Sequence, residues 1–143
     1  MTSTPSSDRF TPGPVPNLDH ATDLKMAPVV HPGEGEAPEH LVGADLVVGA
    51  GEQAAAGATV NVHYVGALFT TGEPFDSSWG RGATSFSLNQ VIPGFSEGIV
   101  GMRVGGRREL VIPADLGYGS AGAPPVIPGG ATLVFVVDLL GVS

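Results

Sequence analysis

The stretch "GYGSAG", residues 117–122, matches Gly-x-Gly-x-x-Gly and is the first feature with a reason to touch a phosphate. A dinucleotide site needs a strand before such a match and a helix after it, so that the helix start meets the pyrophosphate. Pro124 and Pro125 follow at once and forbid that helix. Nucleophilic chemistry fares no better. Ser120 has Tyr118 rather than Gly two positions before it, so there is no nucleophile elbow. Asp76, Ser77 and His63 have the residue types of a triad. Asp76 and Ser77 are neighbours on an extended segment and point apart, and His63 alternates onto the face opposite Tyr64. His20, His31, His40 and His63 lack ligand spacing and the chain has no Cys, so neither a metal centre nor a thiolate is expected.

What remains is a set of aromatic and apolar residues near loops: Tyr64, Phe75, Val91, Ile92, Phe95, Tyr118, Ile127 and Phe135. A buried phenol needs a hydrogen-bond partner, and Asp76 and Arg81 flank the same break in a strand and can supply one. An aromatic floor with a few placed polar groups suits the binding of a small ligand. The stretch "VIPGFSEGIVGM", residues 91–102, points the same way. Val91 and Ile92 stand just outside a helix start, where a capping Ser or Asp is expected. Pro93 suits the first turn because it has no N–H to leave unpaired.

These residues must be positioned by strands and one helix. "ATVNVHYVGALF" alternates Val60, Val62 and Tyr64 with Asn61, His63 and Val65, which predicts a half-buried strand. "FDSSW" and "TSFSL" read as one strand broken by a wide bulge or loop at about 79–83. Phe95, Ile99 and Met102 form one stripe of a helix over about 94–103, weakened by Gly98 and Gly101 and ended by Gly105-Gly106. "RRELVI" and "ATLVFVVDLLGV" are strands, the latter with Leu133, Phe135, Val137 and Leu139 on one face. Short strands are expected at Val29–His31, on an edge because of the nearby prolines, and at Leu46–Val48. Val60, Val62, Ile99, Leu133, Val137 and Leu139 are the expected core. The fold class is α+β, an antiparallel sheet with one short helix packed across it.

The bulk numbers bound the rest. The chain has 143 residues, 42% of them hydrophobic, which allows one domain and a tail. Residues 1–26, with Pro5, Pro12, Pro14 and Pro16 among Ser, Thr and Asp, read as a flexible Pro-rich tail, and 27–143 as the domain. The net charge of −8 argues against nucleic acid and an anionic membrane surface as partners. No signal peptide or membrane-spanning run is evident, so a cytoplasmic monomer is expected.

"VHYVG", "FDSSWGRG", "QVIPGFSEG", "VGGRRELVIPADLGYG" and "VIPGGATLVFVVDLL" together, in this order and spacing, resemble the FKBP-type peptidyl-prolyl cis-trans isomerases over about residues 41–143. The resemblance implies a twisted antiparallel sheet wrapped around one short helix. It implies an enzyme without cofactor or metal that rotates Xaa-Pro bonds in proline-containing polypeptides. Rapamycin or tacrolimus are the implied inhibitors. It places Tyr64 and Phe75 on the side wall, Asp76 on the polar wall with Arg81 beside it, and Val91 and Ile92 along the ligand. Phe95 falls on the floor, where the best-known members have Trp. Tyr118 supplies a flap hydroxyl, Val126 and Ile127 the flap's apolar rim, and Phe135 the far wall. An aromatic wall position near Thr84 and Ser85 is left unfilled, and Ala123 stands where some members have His. Tyr64, Phe75, Asp76, Ile92, Phe95, Tyr118 and Phe135 are the expected catalytic set, and Arg81, Val91, Val126 and Ile127 the expected substrate contacts. The alternative is a non-catalytic peptide- or macrolide-binding module of the same fold, which the smaller floor at Phe95 favours.

Overall fold

The computed structural model describes residues 15–143. In chain order its elements are β1 (Leu18–Asp19), β2 (Val29–Val30), β3 (Val42–Val47), β4 (Thr59–Leu68), β5 (Pro74–Ser77), β6 (Thr84–Ser87), α1 (Pro93–Ile99), β7 (Arg107–Ile112), a 3₁₀ turn at Ala114–Leu116, and β8 (Leu133–Val142). Six strands make one sheet in the order β3-β7-β8-β4-β5, with β6 also paired to β4. Every pairing in it is antiparallel, and α1 lies against one face. The expected α+β class is the observed one.

The alternation in β4 and β8 does what period two requires. Val60, Val62, Leu133, Val137 and Leu139 are fully buried, and so is Ile99 from the helix. Each such side chain contributes about 1.5–3 kcal/mol by leaving water. β5 and β6 lie along the same side of β4, separated by the expected break. Ser78 holds that break closed. Its Oγ accepts the Tyr64 N–H at 2.8 Å and lies 2.8 Å from His63 Nδ1. His63 therefore meets Ser78 rather than Ser77, and its ring stacks on Trp79 at 4.3 Å.

Helix α1 is shorter than the sequence stripe predicts. It ends at Ile99, because Val100 is extended and Gly101 turns the chain at φ +96°. Beyond that point the backbone bonds to a distant segment: Gly101 N–H donates to Ala54, and Ala54 N–H donates to Met102. Met102 is buried, but outside the helix. Gly94 and Gly98 explain why a poor helix former recurs here. A Cβ on either would come within 2.4 Å of Ile112 or Leu110 on β7, so glycine lets the helix lie close on the sheet.

The other face of the sheet is also covered, contrary to the half-buried expectation. Val65, Ala67, Phe69, Val111, Val134 and Val136 form a second apolar layer with Val30 and Val42, and Val15 and Leu18 pack onto it. Residues 15–26, read from sequence as part of a flexible tail, lie on this back face. β1 pairs with β2, and Asp19 meets His31 at 2.9 Å. Residues 1–14, the rest of that expected tail, lie outside the described residues.

Two adjacent arginines tie these layers together, one on each face of β7. Arg107 is fully buried against Asp138, with two N–H···O contacts of 2.6 and 2.8 Å, and it also donates to the carbonyls of His20 and Met26. Arg108 is paired with Asp45 at 2.6 Å and donates to Gly98 O at 2.7 Å, so it satisfies a carbonyl at the end of α1. β3 runs Val42–Val47 rather than from Leu46, because its ladder follows β7 back to Val111.

Candidate active site

A cleft of about 370 Å³ opens between β4, β5, β6, the start of α1 and the start of β8. Its floor is Phe95, one residue beyond the Pro-Gly start of the helix, and Phe135, set by the alternation of β8. Their rings meet edge to face with centroids 5.2 Å apart. Phe75 from β5 stands edge-on to Phe135 at 5.7 Å. Phe86 from β6 meets both Tyr64 and Phe95 at 5.6 Å. T-shaped contacts of this kind add about 0.5–1.5 kcal/mol per pair beyond simple burial, so the walls hold one another in place.

Gly66 lets this ring set close. It lies opposite Phe135 on β8 and Asp76 on β5, and a Cβ there would come within 2.8 Å of the Phe135 ring and 2.9 Å of the Phe75 ring. Gly66→Ala is therefore expected to push both rings into the cleft and lower kcat/KM on a prolyl peptide about tenfold, the equivalent of about 1.4 kcal/mol. The fold should persist by circular dichroism; unchanged turnover would show that the rings have room to retreat.

One edge of the cleft is polar. Tyr64 Oη donates to Asp76 Oδ2 at 2.7 Å and accepts from an Arg81 guanidinium N–H at 3.0 Å. Arg81 also reaches Asp76 Oδ1 at 3.5 Å, and the Ser77 N–H donates to that oxygen at 2.9 Å. Burial, and then the hydrogen-bonded Asp76 carboxylate, raise the Tyr64 pKa above the ordinary phenol value. Tyr64 stays neutral at physiological pH with both roles of its hydroxyl occupied.

The helix entrance supplies a donor. Ile92 is the residue before the helix, with φ −58° and ψ 147°, and no side chain caps the start. Its carbonyl accepts from the N–H groups of Phe95 and Ser96, both at 3.1 Å. Among the described residues, its own N–H has no partner. Val91 and Ile92 line the cleft beside it, and Tyr118, 40% exposed, faces it from the loop after β7.

The structure thus brings together Tyr64, Phe75, Asp76, Val91, Ile92, Phe95, Tyr118 and Phe135, with Arg81 held behind Asp76. Two expected flap contacts fall elsewhere. Ile127 is 3% exposed and belongs to the core, while Val126 points out, 54% exposed. Their places follow from the reciprocal hydrogen bonds between Ala123 and Ile127, at 2.8 and 3.0 Å, which close a tight turn and send its two ends inward. Sequence reasoning missed Phe86 and Gln90. Phe86 was legible, since "TSFSL" alternates and Phe86 lies opposite Val60, a core residue. It supplies an aromatic ring close to the wall position that the sequence leaves unfilled near Thr84 and Ser85.

An aromatic cleft with one polar edge and a free backbone donor at its rim has the shape and chemistry to receive a compact apolar group. Comparison with known proteins names the family. Residues 50–140 match the family model described as FKBP-type peptidyl-prolyl cis-trans isomerase. The chain is 55% identical over 107 residues to the "Probable FK506-binding protein" of Corynebacterium glutamicum, covering 74% of this chain and 90% of that one. It is similar to the crystal structure of FkpA from Escherichia coli, with 43% identity and a TM-score of 0.68 over 76% of this chain, and it spans about half, 51%, of FkpA. The peptidyl-prolyl cis-trans isomerase structure from Pseudomonas syringae pv. tomato is 34% identical, with a TM-score of 0.66 over 78% of this chain and 82% of that one. The chain belongs to the FKBP-type peptidyl-prolyl cis-trans isomerases.

Proposed function

We propose that the cleft takes the proline of an Xaa-Pro segment onto Phe95 and Phe135, with Phe75, Phe86 and Val91 excluding water around it. The Ile92 N–H and the Tyr118 hydroxyl hold the peptide from its two sides. Asp76, fixed by Tyr64 and Arg81, sets the polar edge. The barrier to rotation, about 18–20 kcal/mol, is the lost resonance of the amide. The planar amide is the more polar state and is stabilised by water. The twisted state is less polar and loses less on entering a dry pocket, so the cleft favours it over the ground state. Each ~1.4 kcal/mol of that difference is a tenfold gain in rate. No bond is broken and no proton need move.

The observation that carries this reading is the free Ile92 N–H at the rim of a cleft floored by Phe95 and Phe135. The test is cis-to-trans relaxation of a Leu-Pro or Phe-Pro peptide, with and without protein, then with rapamycin or tacrolimus added. Acceleration blocked by the macrolide is expected, and Phe135→Ala should remove both turnover and peptide binding. A folded protein that binds the peptide but leaves its relaxation unchanged would instead be a docking module. A monomer at work in the cytoplasm completes the reading, checked by light scattering and cell fractionation.

A further inference from the structure

We propose that a second hollow beside the cleft is a subsite for a Lys or Arg side chain of the polypeptide substrate, near the proline in sequence. The inference rests on the function proposed above. The hollow measures about 190 Å³ and is lined by Leu68, Glu73, Pro74, Phe75, Pro125 and Val126. Phe75 is a wall of both spaces, so a peptide lying in the cleft reaches the hollow by passing one ring.

Both sides of the hollow are fixed by short turns. On one side the β4–β5 hairpin holds the backbone of Glu73 at both ends. Its N–H donates to Thr71 Oγ1 at 3.1 Å, and its carbonyl accepts from Leu68 N–H at 2.9 Å. On the other side the reciprocal Ala123–Ile127 bonds present Pro125 and Val126 outward. The exposure of Val126, unexplained by the cleft, is accounted for by this wall.

The chemistry of the lining selects the occupant. Five of the six residues are apolar, which suits an aliphatic stem, and the sixth is a carboxylate. Among the described residues the Glu73 carboxylate has no ion pair or hydrogen bond of its own. Lys and Arg lay an alkyl stem on apolar surface and keep the charged head at its edge. The net charge of −8 favours the approach of cationic segments over anionic ones. A neutral or acidic side chain uses only part of this lining.

The test is a peptide ladder around one Leu-Pro bond. Lys, norleucine or Glu is moved through each position from three residues before the proline to three after it, against wild type, Glu73→Gln and Glu73→Lys. At one or two positions Lys should exceed norleucine in kcat/KM by about threefold at low salt, the size expected of an exposed ion pair, and the gain should shrink as salt is added. Glu73→Gln should erase the preference and Glu73→Lys reverse it, while the unsubstituted peptide is turned over equally by all three proteins. Absence of a Lys preference at every position, or one that survives Glu73→Gln, overturns the proposal. Fluorescence-polarisation binding of the same peptides separates the two readings. Lys-selective binding without turnover overturns the catalytic reading and leaves the subsite, and no peptide binding at all overturns both.

Discussion

Arg107→Met is expected to lower the unfolding free energy by about 3–5 kcal/mol, because it leaves the Asp138 carboxylate buried without its partner. Arg107 is fully buried and Asp138 is 4% exposed, so water cannot take over the lost contacts. The loss reaches further than one pair. The same guanidinium donates to His20 and Met26 and sits 5.9 Å from the centre of the Trp79 ring, so it fastens residues 15–31 to the back of the sheet. Tryptic cleavage at Lys25 should therefore speed up in the variant even under conditions where it stays folded. The double variant Arg107→Met/Asp138→Leu should recover much of the loss, since a well-packed apolar pair is often no worse than a buried ion pair. Urea midpoints at pH 7 for the wild type, both single variants and the double variant close the cycle. A loss below about 1 kcal/mol for Arg107→Met would place this pair with exposed ones, such as Arg81–Asp76, whose side chains are 59% and 45% exposed.

That role for Arg107 marks where the sequence stops being readable. "RRELVI" shows a strand, but two arginines and a glutamate give no sequence signal of burial; all six residues are buried. Period two puts Arg107 and Arg108 on opposite faces, yet only the tertiary structure supplies a partner for each. Residues 15–26 have no periodicity to betray their position, because their placement comes from long-range bonds of His20 and Met26 to Arg107 rather than from their own propensity. The end of α1 was hidden for the same reason: a distant segment at Ala54 captures the chain at Gly101. By contrast, the cleft was largely legible. Its floor follows from Pro93 fixing the helix start and from the alternation of β8. Its polar edge follows from the need of a buried phenol for partners. At the flap, the turn closed by Ala123 and Ile127 decides which of two neighbouring apolar side chains faces inward, and no periodicity in the sequence shows that choice.

Glu109→Gln is expected to flatten a pH dependence of stability that the wild type carries. Glu109 is 1% exposed, its Oε2 has no hydrogen-bond partner, and burial pushes its carboxyl up to about 8. It projects onto the back face between Arg107 and Val111, opposite Ala44 and Val136. The nearby cation, Arg107, is already engaged by Asp138 and does not rescue it. In the unfolded chain the same carboxyl ionises near its ordinary value, about 4.3. Between that value and about 8 the folded protein therefore binds more protons than the unfolded one. Stability from this group is complete below the lower value, falls by up to ~1.4 kcal/mol per pH unit through the window, and is gone above the upper one. The Gln variant keeps the volume without the charge. It should lie within about 1 kcal/mol of wild type at pH 4 and exceed it by several kcal/mol, on the order of 4, at pH 9. Urea unfolding across that range reads the difference, and equal slopes in the two proteins would show that Glu109 finds a partner or water on ionising. The cost falls on the layer that includes Val30 and Leu18, so amide protection at Val30 and His31, measured against the intrinsic base-catalysed rate, should fall at alkaline pH in the wild type and hold in the Gln variant. The cleft lies on the opposite face of the sheet, so turnover per folded molecule should not follow the same curve.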